Sequence, residues 1–245
     1  MRSLNVPLVL PFALLAALAR LAESLGSRYP ESFVARVADA VGGLTVGDRA
    51  VRLSRPLNVA SESWTPASLR LPSAVALCVI VARRQPMLVL EFGAGYSTLL
   101  LAALSRERAC RGFGIVSIEH DRSWCDTHRA KLKSLGFGVE LVHAPLEAVD
   151  GAPRYRSAAV ELALAGRAPD VVLVDGPVGS GHGGPGREGS LAQAVELAPR
   201  GALILVHDAL RGEELRLLRS LLASGAVRGS GVVADGDGLA VLERV

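Results

Sequence analysis

The chain has 245 residues, half of them hydrophobic and 21% charged; this length gives one large domain or two small ones with an ample core, and the composition excludes disordered, collagen-like and coiled-coil chains. Twenty-seven basic against 24 acidic side chains leave a formal charge of +3, and with aromatic residues at 4% and no long run of like charge, a basic, base-stacking nucleic-acid groove is not suggested. Cys78, Cys110 and Cys125 are odd in number and lack Cys-x-x-Cys spacing, which argues against a disulfide framework or structural zinc site and points to a reducing, cytoplasmic setting.

Residues 1–55 read as a helical N-terminal extension. Arg2 and the 13-residue apolar run Pro7 to Ala19 have the charged start and apolar middle of an export signal, but the run falls short of the roughly 20 residues that span a bilayer. The pattern continues through Leu21, Leu25 and Phe33 with polar residues between, which suits an amphipathic helix for packing or for a homodimer contact. A peripheral membrane contact through residues 1–25 and an export signal are the alternatives. Gly47-Asp48 is placed to turn a short hairpin within Leu44 to Leu53.

Residues 56–245 read as the main domain. Thr65-Pro66, a capping hydroxyl followed by proline, predicts a helix start, with the helix running to about Arg84; Cys78, inside the apolar run Ala74 to Ala82, is expected in the core. Short runs rich in Val, Ile and Leu then predict buried strands at Met87–Phe92, Gly114–Glu119, Val139–His143, Val171–Asp175 and Ala202–His207. Helical patterns at Ser97–Arg108, Ser123–Leu135, Arg156–Ala165 and Ser190–Ala198 separate them, and Arg211–Ser224 is a final helix. This βα alternation implies an α/β, doubly wound, mostly parallel sheet. The last two strands, Gly231–Ala234 and Leu239–Glu243, flank Asp235-Gly-Asp-Gly238, too short for a crossover helix, so they are expected to be antiparallel neighbours closing a seven-stranded sheet.

The first strand runs through Glu91-Phe-Gly-Ala-Gly95-Tyr-Ser-Thr98 into a helix. Gly93 and Gly95 allow a sharp turn and close approach of a ligand to the unpaired amides of the helix start. A dinucleotide site would want a third glycine or alanine where Thr98 stands, and Glu91 would repel a pyrophosphate while attracting a cationic amino group. A positively charged cofactor is therefore favoured over NAD. Glu119, ending the second strand, suits two vicinal ribose hydroxyls, and Asp121 suits a helix cap.

With Trp124, Val174-Asp-Gly-Pro177 and Leu205-Val-His-Asp208, these motifs resemble a class I S-adenosylmethionine-dependent methyltransferase over roughly residues 60–245. The resemblance implies a Rossmann-like sheet with its last strand antiparallel. It also implies S-adenosylmethionine as cofactor, with Glu91, Gly93 and Gly95 along its methionine end, Ser97 and Thr98 at the nearby helix start, Glu119 on the ribose and His120 near the adenine. Ala144-Pro-Leu-Glu147 departs from the family's acidic pattern and leaves the adenine amino contact unassigned.

Asp175 reaches the carboxyl edge of the fourth strand, where open α/β sheets bind ligands. The loop Val178 to Arg187 has no Gly-Lys-Ser/Thr and is not a P-loop; its glycines suit a substrate lid with His182 and Arg187 as polar contacts. Asp175-Gly-Pro lacks the Asn/Asp-Pro-Pro-Tyr arrangement of many amino-group methyltransferases, which points to oxygen, a hydroxyl of a small molecule or sugar, as acceptor. A hydroxyl needs a base or a metal to become a nucleophile. His207 supplies a candidate base; alternatively Asp175 and Asp208 hold Mg²⁺, as the resemblance to catechol-type and macrolide-sugar O-methyltransferases suggests, although His207 stands where an oxygen ligand is expected. His207, Asp208 and Asp175 are thus the catalytic candidates, while His128 and His143 read as helix-surface and strand-end residues. An NAD-linked oxidoreductase and a non-catalytic cofactor-binding protein are the rival readings.

Overall fold

The computed structural model describes residues 44–46, 49–51, 54–61, 63–65, 68–110, 112–178, 183–233 and 237–245. The helix expected before residue 40, the contacts assigned to residues 1–25 and His182 lie outside them.

β1 (Leu44–Val46) and β2 (Arg49–Val51) pair antiparallel, as the Gly47-Asp48 signal requires. Two helices follow, α1 (Ser54–Ser61) and α2 (Leu71–Arg84). Only one helix was expected here, starting at Thr65. Thr65 instead forms a local turn, its N–H donating to Ser68 Oγ (3.0 Å) and its carbonyl accepting from Ser68 N–H (2.9 Å). The helix begins where continuous burial begins, at Leu71, with Pro72 in its first turn. Proline there costs nothing, because the first-turn N–H groups have no intrahelical partner.

The βα alternation then runs as read: β3 (Leu88–Phe92), α3 (Tyr96–Ser105), β4 (Gly114–Glu119), α4 (Arg122–Ser134) and β5 (Glu140–His143), then α5 (Ser157–Leu164), β8 (Val171–Val174), α6 (Glu188–Leu197), β9 (Leu203–His207), α7 (Gly212–Ala223), β10 (Val227–Val233) and β11 (Leu239–Arg244). A second antiparallel pair, β6 (Leu146–Val149) and β7 (Ala152–Tyr155), was not expected. Its signal was the Asp150-Gly151 turn; both residues take positive φ (52° and 82°), the backbone that tight hairpins demand.

The main sheet has seven strands in the order β10-β11-β9-β8-β3-β4-β5. Its five central and right-hand strands are parallel, and β11 runs antiparallel to both β9 and β10. Alternation along the strands sorts the core. Val89, Ile115, Leu173 and Leu205 face one apolar cluster with α2 and α3, while Leu90, Val116, Val172 and Ile204 face the other with α5 and α6. Each such side chain contributes about 1.5–3 kcal/mol through burial, which explains why the strands read as unbroken apolar runs. Cys78 is in this core, and all three cysteines are buried and free. Among the described residues no helix is long and apolar enough to cross a membrane.

Chain order reverses between β3 and β8: the chain leaves β3 toward β4 on one side and returns to β8 on the other. A crevice opens at such a switch point, over the carboxyl ends of the strands. Glu91, Glu119, Asp175 and His207 all lie at that edge.

Candidate active site at the carboxyl edge of the sheet

Glu91 is fully buried near the end of β3. Its Oε2 accepts hydrogen bonds from Thr98 Oγ1 and Ser117 Oγ, both at 2.6 Å, while its Oε1 is buried with no hydrogen-bond partner among the described residues. Burial pushes its carboxyl up to about 7, against the opposing pull of the Ser117, Ser97 and Thr98 hydroxyls, with the charge of Asp175 adding to the rise. A buried carboxylate with a spare oxygen suits a cationic group brought to the loop above it.

The two glycines of that loop do different things. Gly93 has φ +92°, and a Cβ there would lie 2.8 Å from Gly176 Cα, so this glycine is required by the contact with the segment leaving β8. Gly95 has no atom within 4 Å of the place its Cβ would take: it leaves open space at the start of α3. Ser97 and Thr98 turn their side chains inward, Thr98 Oγ1 accepting from Gly95 N–H (2.9 Å) while donating to Glu91. What they present to a ligand is the helix N-terminus, not their hydroxyls.

Glu119 is buried where β4 ends. Oε2 accepts from Ala94 N–H (3.1 Å), and Oε1 accepts from Asp121 N–H (2.8 Å) and lies 2.9 Å from His120 Nδ1. With about four acceptor positions on a carboxylate, one remains on Oε2 for a ligand hydroxyl. The hydrogen bond to Glu119 raises the pKa of His120 above the usual imidazole value, against partial burial. Asp121 caps α4 as expected, accepting from Trp124 N–H (2.9 Å). Trp124 donates its Nε1–H to Ala94 O (2.6 Å), pinning the glycine loop, and its ring covers His128, which is buried rather than on the helix surface. The stretch left unassigned enters β6, and Glu147 Oε1 accepts from Ser157 N–H (2.8 Å) at the start of α5.

The other half of the edge comes from β8 and β9. Asp175 Oδ1 lies 2.6 Å from His207 Nδ1, and His207 Nε2 lies 3.4 Å from Asp208 Oδ1. Burial disfavours the charged imidazole, but the charge and hydrogen bond of Asp175, with the charge of Asp208, outweigh it and raise the His207 pKa. A hydrogen bond from Nδ1–H to Asp175 would make Nε2, which faces Asp208 Oδ1, the basic nitrogen of the neutral ring. Asp208 takes a left-handed backbone (φ 60°), one of the few non-glycine residues here to do so. Its Oδ2 lies 2.8 Å from both Arg187 Nη2 and Arg211 Nη1.

Arg187 was expected as a substrate contact on the lid. It is buried, with Nε, Nη1 and Nη2 donating to Pro177 O (3.0 Å), His207 O (2.8 Å) and Asp175 O (3.2 Å), so its fork is committed to protein groups. At the base of the segment expected as a lid, Gly186 N–H donates to Val178 O (3.1 Å).

Asp175, His207 and Asp208 bring one ligand atom each to within 4.8 Å of one another, the spacing of a metal site. The donor set does not fit Mg²⁺. One ligand atom is an imidazole nitrogen where a hard cation wants oxygen, His207 Nδ1 is bonded to Asp175, and Asp208 Oδ2 is shared by two guanidiniums. At about 4 Å and an effective dielectric of about 20, a divalent ion would be repelled by either guanidinium by about 8 kcal/mol, which cancels the attraction of one carboxylate at the same distance.

Tyr155, unremarked in the sequence, ends β7 fully buried, its ring stacked on Phe92 (centroids 5.1 Å apart) and edge-on to His120. Its hydroxyl has no hydrogen-bond partner among the described residues, and burial raises its pKa well above the ordinary phenol value.

No family model matches the chain, and no curated protein matches it. Solved structures do. A methyltransferase from Podospora anserina, bound to S-adenosylhomocysteine, is 17% identical, covering 90% of this chain and 99% of its own, with a TM-score of 0.57. An O-methyltransferase from Bacillus cereus, also with S-adenosylhomocysteine, is 15% identical over 88% and 100% at 0.54. The O-methyltransferase TomG from Streptomyces achromogenes, involved in tomaymycin synthesis and bound to S-adenosylmethionine, is 20% identical over 89% and 100% at 0.53. The chain has the Rossmann-like fold of these methyltransferases.

Proposed function

We propose that the protein is a class I S-adenosylmethionine-dependent methyltransferase acting on a hydroxyl of a small molecule or sugar. The observation that carries this reading is the meeting, across one switch point, of two unlike half-sites. On one side stand the open glycine loop, the spare oxygen of Glu91 and the free acceptor position of Glu119; on the other stands the Asp175–His207 pair. The similar structures, bound to the methyl donor or its product, support the cofactor, and the O-methyltransferases among them support an oxygen acceptor.

When bound, the cofactor supplies an electrophilic methyl carbon on a sulfonium. The helix start at Gly95 and the carboxylates of Glu91 and Glu119 hold and orient it. His207, its Nδ1–H directed to Asp175, takes the acceptor's hydroxyl proton at Nε2, and Asp175 balances the imidazolium charge that results. Holding the reactants in line supplies much of the acceleration.

The test is transfer of labelled methyl groups from S-adenosylmethionine to a panel of phenols, polyols, sugars, amines and thiols. The wild type is expected to label at least one hydroxyl compound and His207→Ala to label it about 10²–10⁴-fold more slowly, the usual worth of a general base. Labelling confined to amines or thiols would overturn the acceptor class.

A further inference from the structure

The acidic rim already contains its own cation. Arg187 stands just before α6, after the glycine-rich loop, and its side chain is 5% exposed. Its guanidinium reaches both strand exits that deliver the acid–base pair. It donates to the carbonyls of Asp175 and Pro177 beyond β8 and of His207 at the end of β9, and it lies 2.8 Å from Asp208 Oδ2, 3.7 Å from Asp175 Oδ1 and 3.9 Å from Glu214 Oε1. Guanidinium does not lose its proton in proteins, so this charge is permanent. Asp175, Asp208, Glu214 and Asp237 stand against Arg187 and Arg211, an excess of two negative charges, and the left-handed turn at Asp208 is held between the two arginines.

We propose that Arg187 is the resident cation of this rim and a positioning residue for methyl transfer, locking Asp175, His207 and Asp208 into one arrangement in the place a divalent metal would otherwise take. The fork does with five fixed donors what a metal does with coordination: it gathers three carboxylates and three carbonyls, from two strand exits and from α7, around one point. Transfer therefore needs no added metal. The placement of Arg187 stands on its own geometry, while its part in transfer rests on the methyltransferase reading.

The full chain is tested with Mn²⁺, whose free-ion electron spin resonance signal disappears on binding. The wild type is expected to leave that signal unchanged, and its methyl transfer to be unaltered by a chelator. Arg187→Met is expected to lower kcat at least 100-fold while S-adenosylhomocysteine affinity stays within about threefold. Arg187→Lys, which keeps the charge but not the fork, should recover about a tenth of the wild-type rate, and methylguanidinium should accelerate Arg187→Ala at least fivefold. Stoichiometric Mn²⁺ uptake by the wild type that is lost in Asp208→Asn would overturn the proposal, as would Arg187→Met with full kcat, or kcat falling only in step with product affinity. Failure of the wild type to bind S-adenosylhomocysteine counts instead against the methyltransferase reading; the Mn²⁺ result is independent of it.

Discussion

Glu91 is the residue whose environment and chemistry are in most direct conflict. Its carboxyl is carried up to about 7 by burial, above the ordinary value of 4.5, even though three hydroxyls favour its ionised form. A raised folded-state pKa means that the fold prefers the protonated acid. That preference stabilises fully below about pH 4.5 and is lost as pH rises to about 7. Glu91→Gln, which cannot ionise, should therefore gain on the wild type by about 2–4 kcal/mol between pH 4 and pH 8 in urea denaturation. A difference that does not change with pH would show that the carboxyl ionises as freely folded as unfolded. The glycines separate in the same way. Gly93→Ala meets both a left-handed backbone and Gly176 at 2.8 Å and should cost about 2–4 kcal/mol of stability. Gly95→Ala meets nothing and should melt like the wild type while weakening product binding.

The placement of Glu91, Gly95 and Glu119 at one edge was legible because strand, turn and helix follow one another within a few residues. Arg187 was legible as a residue but not in its role. Its environment exists only because β8 and β9 lie side by side, although 28 residues separate the end of one from the start of the other. Gly93 was read as leaving room for a ligand; what it leaves room for is Gly176, which lies far away in the chain.

Among the elements, the parallel strands matched their sequence patterns to within a residue, since burial on both faces leaves little choice of residue type. The helix start between residues 65 and 71 did not: two prolines offer equivalent starts, and the packing of Leu71 onward selects the second. The β6–β7 hairpin was missed because its strands are short and half-exposed, with no apolar run to announce them. Its contribution is the ring of Tyr155 against Phe92. Since the phenol has no partner, Tyr155→Phe should be neutral or slightly stabilising, whereas Tyr155→Ala should cost about 3–5 kcal/mol. Thermal melts of the two variants check this, and a large loss in Tyr155→Phe would show that the hydroxyl has a partner after all.

At the scale of the whole molecule, the fold's contribution is to deliver groups from distant parts of the chain to one edge. In the proposed mechanism the pair formed there sets the pH response. His207 accepts a proton only when neutral, and Asp175 raises its pKa, so kcat/KM should rise with pH through an inflection above 6.5. Asp175→Asn removes the raising charge and should move that inflection to lower pH while reducing the rate. An inflection that stays in place would remove Asp175 from the proton-handling role.

The central claim is that this edge cradles the methyl donor, and calorimetric titration with S-adenosylhomocysteine, and in parallel with NADH, tests it most directly. One S-adenosylhomocysteine is expected to bind per chain, at least 30-fold more weakly in Glu119→Ala, with no heat from NADH. Binding of NADH alone, or affinity for S-adenosylhomocysteine indifferent to Glu119, would contradict it.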